Sequence, residues 1–170
     1  MADATKVQMG VCSVSLGGTD VGHTKGGVEV TYAPQYKDVT VDLYGNTPVE
    51  KQLTGEKFTA KIPLAEFTIA NLHKTMLPSA LAGAGNARMT LGSQSGKSML
   101  ALAVQLVIHP IGAGSSRAYD VVMYKAVPIS EVTLTHKVDE EKVIMVEFQA
   151  LVDESKSDGN YLGLIGDSAA

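Results

Sequence analysis

Apolar and polar residues alternate with a period of two along most of this chain, as half-buried β-strands require, because successive side chains point to opposite faces. From Gly27 to Tyr32 (GVEVTY), Val28, Val30 and Tyr32 fall on one side, Glu29 and Thr31 on the other. From Asp38 to Tyr44 (DVTVDLY), Val39, Val41 and Leu43 oppose Thr40, Asp42 and Tyr44. Ala33 and Pro34 between these runs predict a turn, since proline has a fixed φ and no N–H for a ladder. Leu53 to Leu64 alternates again, with Phe58, Ala60, Ile62 and Leu64 together and Lys57, Thr59 and Lys61 opposite. The polar stretch from Gly45 to Gln52 (GNTPVEKQ) predicts a loop too long for a tight hairpin.

The period then changes. Between Glu66 and Met76, Ile69, Leu72 and Met76 form one helical stripe, with Thr68 as the N-cap and Pro78 as the stop. This is the single predicted helix. Ser79 to Ser98 is rich in Gly, Ala and Ser and predicts loop around one short strand, Ala87 to Leu91. Lys97 to His109 is the most apolar run and predicts a central strand buried on both faces. Three further strands are predicted over Tyr119–Ala126, Ile129–Lys137 and Lys142–Val152, the last two joined by a charged hairpin turn at Val138–Glu141. A polar tail, Asp153 to Ala170, carries the apolar cluster Tyr161, Leu162, Leu164 and Ile165. The pattern predicts one mainly β domain over residues 1–170, with an N-terminal arm of about nine residues and a tail over 153–170.

Composition narrows the class of protein. At 170 residues, with 45% hydrophobic and 19% charged positions, the chain is long and apolar enough for a core. A formal charge of −4 argues against a surface built to grip a phosphate backbone. The lone Cys12 cannot form an internal disulfide and fits a reducing compartment. No basic leader or long apolar run marks an exported or membrane-anchored chain, so a soluble protein without a membrane anchor is expected.

Candidate chemistry is sparse. Gly92 to Ser98 (GSQSGKS) has three residues between its glycines where a phosphate-binding loop needs four, and it precedes a predicted strand instead of a helix. Gly114 to Ala118 (GSSRA) has the spacing of a nucleophile elbow but lies between Pro110 and a predicted strand, not on a strand-to-helix corner. His23, His73, His109 and His136 are far apart in sequence, with no spacing that supplies several ligands from nearby chain. Asp139, Glu140 and Glu141 read as a solvated turn, and Cys12, in an apolar alternation, as a small hydrophobe. No catalytic residue, cofactor site or metal site is predicted, so the chain is expected to work through its surfaces.

The order of the N-terminal elements carries a resemblance. Leu16 to Gly22 (LGGTDVG), Thr24 to Val30 (TKGGVEV), Asp38 to Asp42 (DVTVD), Gly45 to Val49 (GNTPV), Leu53 to Gly55 (LTG) and Ile62 to Glu66 (IPLAE) before a short helix resemble the tail tube proteins of long-tailed bacteriophages. The similarity is densest over residues 10–76. It implies two packed antiparallel sheets, sandwich- or barrel-like, with one short flanking α-helix. It also implies six copies per ring and rings stacked into a virion tail tube, assembled in the host cytoplasm, through which DNA passes without specific binding. Partners implied are the chain itself and other tail proteins, such as tape measure, terminator and tip or baseplate components. The related tube protein of type VI secretion shares that architecture, so a hexameric cargo carrier is the alternative. A small enzyme or ligand-binding barrel with a site scattered in sequence is a third reading.

Within that resemblance, the strand faces carrying Glu29, Thr31, Thr40 and Asp42, with Glu147, are expected to line the channel, where acids and hydroxyls would repel DNA and lysines would hold it. Contacts between subunits and rings are expected from Asn46, Thr47, Pro48, Val49, Glu50 and Lys51, which have no core of their own, and from Tyr161, Leu162 and Leu164.

Overall fold

The structure is a computed structural model that describes residues 10–92, 95–136, 138 and 141–167. It is mainly β, with two antiparallel sheets and a single α-helix among the described residues. The strands are β1 (Cys12–Leu16), β2 (Thr19–Asp20), β3 (Glu29–Thr40), β4 (Pro48–Leu64), β5 (Ser79–Ala82), β6 (Arg88–Leu91), β7 (Val104–Pro110), β8 (Val121–Pro128), β9 (Ile144–Leu151) and β10 (Gly163–Ile165); the helix α1 is Ile69–Thr75. The large sheet runs β2-β1-β7-β8-β9-β4-β3, and β10 pairs with β8. The small sheet is the β5–β6 hairpin.

The alternation seen in the sequence places one apolar face of the large sheet inward. Val14 and Leu16 of β1, Leu106 and Ile108 of β7, Met123 and Ala126 of β8, Ile144, Val146 and Phe148 of β9, and Phe58, Ala60, Ile62 and Leu64 of β4 build a common core. Leu72, Ile69 and Met76 of the helix region, Met89 of β6 and Val132 cover it. Burial of each large aliphatic or aromatic side chain in this face is worth about 1.5–3 kcal/mol. The helix starts where expected: the Thr68 hydroxyl accepts a hydrogen bond from the Asn71 backbone N–H at 3.2 Å. Asn71, buried, donates its side-chain amide to the Val21 carbonyl at 2.9 Å and so ties the helix to the β1–β2 end of the sheet.

Several elements differ from the sequence expectation. Pro34 is no turn; it lies inside β3, opposite Glu56. β3 is the sheet's edge, and an edge strand tolerates a proline because one of its sides has no ladder partner. Of the predicted strand Asp38–Tyr44, only Asp38 to Thr40 is strand; Asp42–Tyr44 is a 3-10 turn closed by Gly45 at φ 60°. The predicted loop over 45–52 is largely strand, since β4 begins at Pro48. Leu100–Leu102 is a 3-10 turn, and the central strand begins only at Val104; a short apolar run fits either element by periodicity alone.

Residues 129–136 do not form a strand. Pairing with β9 ends as the Ser130 hydroxyl takes the Glu147 N–H at 2.8 Å in place of a backbone acceptor, and the chain then crosses the core at Val132. The charged hairpin expected at Val138–Glu141 therefore joins no strand pair, and its Asp139 and Glu140 lie outside the described residues, as do the N-terminal arm over 1–9 and residues 168–170. The tail cluster forms part of the fold: Leu162 packs on the core, and β10 pairs Leu164 with Val122.

Candidate functional site

Two surfaces stand out, and the first is the β3–β4 hairpin. Its inner half belongs to the large sheet, where β4 pairs with β9 from Thr59 to Leu64. Its outer half, from Tyr36 around to Leu53, pairs only with itself and is exposed on both faces except for a half-buried Val39. Two register shifts, which skip Thr54 and Val49 of β4, punctuate this ribbon, and the Thr54 hydroxyl bonds the Gln35 carbonyl at 3.1 Å across the first of them.

The ribbon continues the apolar side of the core outward. Tyr32 stands opposite Phe58, Pro34 opposite Glu56 and Tyr36 opposite Leu53, until the Asp38–Lys51 ion pair at 3.0 Å ends the row. Tyr36 and Leu53 are 58% and 53% exposed, and Leu43 at the tip is 82% exposed. Beside the row, between β4 and the tail strand, lies a cleft of about 200 Å³ lined by Tyr32, Glu56, Phe58, Tyr161, Leu162 and Leu164. The Tyr32 hydroxyl donates to the Glu56 carboxylate across its mouth, which holds the phenol above its ordinary pKa. Isolated two-stranded ribbons are at best marginally stable in water, and this one exposes Tyr36, Leu43, Tyr44, Val49 and Leu53, so it has the chemistry of a docking arm.

The second surface is the sheet face opposite the core. Cross-strand register aligns Glu29 of β3, Lys61 of β4 and Glu147 of β9 in one row, and Thr31, Thr59 and Gln149 in the next. Toward the other edge the same face carries Gln105 and His109 of β7 and Ser13 and Ser15 of β1. It carries hydroxyls, amides and charges of both signs, Lys57 and Lys61 included, together with Val107, Val122 and the exposed Met145.

The expected channel residues divide between locations. Glu29, Thr31 and Glu147 share the polar face. Thr40 does not, because 29–40 is one continuous strand and an even-numbered position on it faces the side of Val30 and Tyr32. Asp42 is off the sheet altogether, in the 3-10 turn at the hairpin tip. Of the expected contact residues, Asn46, Thr47, Pro48, Val49, Glu50 and Lys51 are all exposed at or next to that tip. Tyr161 is exposed, while Leu162 and Leu164 serve the chain's own core and sheet.

Sequence reasoning missed a part-buried ion pair on the polar face. His109 Nδ1 lies 2.6 Å from Asp120 Oδ1, and its Nε2 lies 2.8 Å from the Gly114 carbonyl oxygen. Asp120, and then the Gly114 carbonyl, hold the imidazole above its ordinary pKa. The two residues are eleven apart, and only the turn at Ile111–Ala113 brings them together.

Among the described residues, no group of three or more His, Cys, Asp and Glu is placed to hold a metal ion. No helix among them is long and apolar enough to cross a membrane. Burial pushes the Cys12 thiol up, away from the thiolate that a nucleophile needs. No α-helix follows Ser98, as a phosphate-binding loop would require; Ser93 and Gln94 of that segment lie outside the described residues. No protein-family model matches the chain, and no curated protein matches it in sequence.

Proposed function

We propose that this chain is a structural subunit that assembles with copies of itself into a tube: the major tail tube protein of a bacteriophage virion, forming stacked hexameric rings that conduct DNA into the host. The observation that carries the reading is the β3–β4 arm, a ribbon that exposes Tyr36, Leu43, Val49 and Leu53 and whose outer half no other described residue pairs with. Its residues Tyr36 and Leu53, and Val49 beside the tip, supply the apolar area that a neighbouring ring would bury. The ring number and the other tail proteins come from the resemblance of residues 10–76.

The polar sheet face supports the conduit half of the reading. Hydroxyls and amides present a hydrated wall, and Glu29 and Glu147 flank Lys61 on both sides, so that this row offers no cationic stripe to grip the DNA backbone. The subunit performs no catalysis in this reading; the work is done by shape, closure and charge.

Electron microscopy of the purified protein at raised concentration tests the proposal. Long tubes with an open channel are expected. Isolated rings that do not stack favour the secretion-type carrier, and a monomer that persists at every concentration overturns both.

A further inference from the structure

A second cleft, of about 610 Å³, opens on the polar face at the end far from the arm. Its floor is β1, β7 and the start of β8, and its roof is the loop from Ile111 to Asp120. Its polar lining includes Ser15, Gln105, His109, Ser115, Arg117 and Asp120.

His109 pins the roof at two points. Both of its ring partners, the Asp120 carboxylate and the Gly114 carbonyl, are hydrogen-bond acceptors, so both bonds coexist only when both ring nitrogens carry protons. Ser115 and Arg117 lie on the segment between the pinned points. The Asp120 side chain is 5% exposed and its charge is matched by the imidazolium, so the acid does not cancel Arg117. Arg117 forms no ion pair among the described residues, and its guanidinium is near enough to oppose protonation of His109. From β1 only the uncharged Ser13 hydroxyl reaches this ring's residue, at the His109 carbonyl. The cleft is thus a positive site with hydroxyl and amide donors on a chain whose formal charge is −4.

We propose that this cleft binds a tetrahedral oxyanion of the sulfate or phosphate type, with Arg117 supplying the charge and Ser15, Ser115 and Gln105 the hydrogen bonds. A free oxyanion and a phosphodiester group of a nucleic acid share this chemistry. Only the nucleic-acid source rests on the conduit reading; the cleft is complete in a single chain and its binding does not require assembly. A site of this kind on a channel wall would give a passing strand brief single-phosphate contacts, which break readily because each neutralises one charge. His109 acts as a positioning residue: deprotonation removes one of the two roof bonds and loosens the segment that carries Arg117.

The test is amide NMR titration of the full-length monomer at low, constant ionic strength, with sodium sulfate and, separately, a short oligodeoxythymidylate. Sulfate is chosen because it does not titrate near neutrality. Saturable shifts at Ser15, Ser115 and Arg117 are expected with both probes. Arg117→Gln is expected to weaken sulfate binding about tenfold or more while leaving the urea midpoint unchanged. Affinity should fall as pH rises through the His109 titration, and His109→Gln should abolish that dependence. Saturation by sulfate alone keeps the site and removes nucleic acid as its source. Absence of saturable sulfate shifts, or wild-type affinity in Arg117→Gln, overturns the proposal, whether or not tubes form in the microscope.

Discussion

Gly163 of β10 lies so close to β8 that a Cβ on it would stand 2.1 Å from the Val122 carbonyl oxygen and 3.0 Å from the Phe58 ring. The clash is with backbone, which cannot swing aside as a flexible side chain would. Gly163→Ala is therefore expected to destabilise the fold by about 1–3 kcal/mol, the range for forced overpacking. Urea unfolding measures it. An unchanged midpoint would show that β10 can lift from β8 without loss, and that the tail strand is not an integral part of the sheet.

Tyr36 and Leu53 are cross-strand partners on the exposed half of the arm. Replacing both with Ser removes apolar area that is more than half exposed, so the isolated chain should lose less than about 1 kcal/mol, the scale of a single cross-strand pair. Assembly should fail. Sedimentation velocity and microscopy read the second effect and urea unfolding the first. Tubes that form normally from the double variant would remove the arm from the assembly contact.

Glu29 and Glu147 flank Lys61 across three strands. Changing both acids to Lys converts the row to one sign and should cost about 0.2–1 kcal/mol for each opposed pair. If this face lines the channel, tubes of the variant will retain DNA in a salt-dependent manner, because a cationic stripe releases counterions on binding. Asp42→Lys is the control for position: it adds positive charge at the hairpin tip and should leave retention unchanged. A nuclease-protection assay on assembled tubes distinguishes the two. Equal retention by both variants would sink the assignment of this face to the channel.

The core faces were legible in the sequence, and the lengths of the elements were not. Alternation in Phe58–Leu64 and Ile144–Phe148 identified core positions directly, because a period of two leaves no second solution once one face is buried. Thr68 was legible as a cap because its hydroxyl acts three residues away, a purely local interaction. Pro34 misled because its meaning depends on whether the strand has one neighbour or two, a tertiary fact. The same error split β3 into two runs and put Thr40 and Asp42 on the face of Glu29. The pairing of His109 with Asp120 had no sequence signal at all, since the turn between them is set by Gly114 and by contacts with β1, not by a spacing rule.

Two ionisable groups give stability an opposite dependence on pH at its two ends. Asp153, buried in the bend after β9, is held below the usual carboxylate range chiefly by the Lys125 ammonium at 3.0 Å, then by Ser155, with burial opposing. A carboxyl depressed on folding contributes stability that is full above its unfolded pKa, about 3.9, and is lost as pH falls through the lower folded value. His109 is raised on folding, so its contribution is full below the unfolded value of about 6.5 and is lost as pH rises through the higher folded one. The urea midpoint should therefore be highest between about pH 4 and 6.5 and decline on both sides. Asp153→Asn should flatten the acid limb alone, and His109→Gln the alkaline limb alone. If His109→Gln leaves the alkaline limb as steep as before, the imidazolium does not hold the Gly114–Asp120 segment, and the two short contacts to its ring do not coexist in solution.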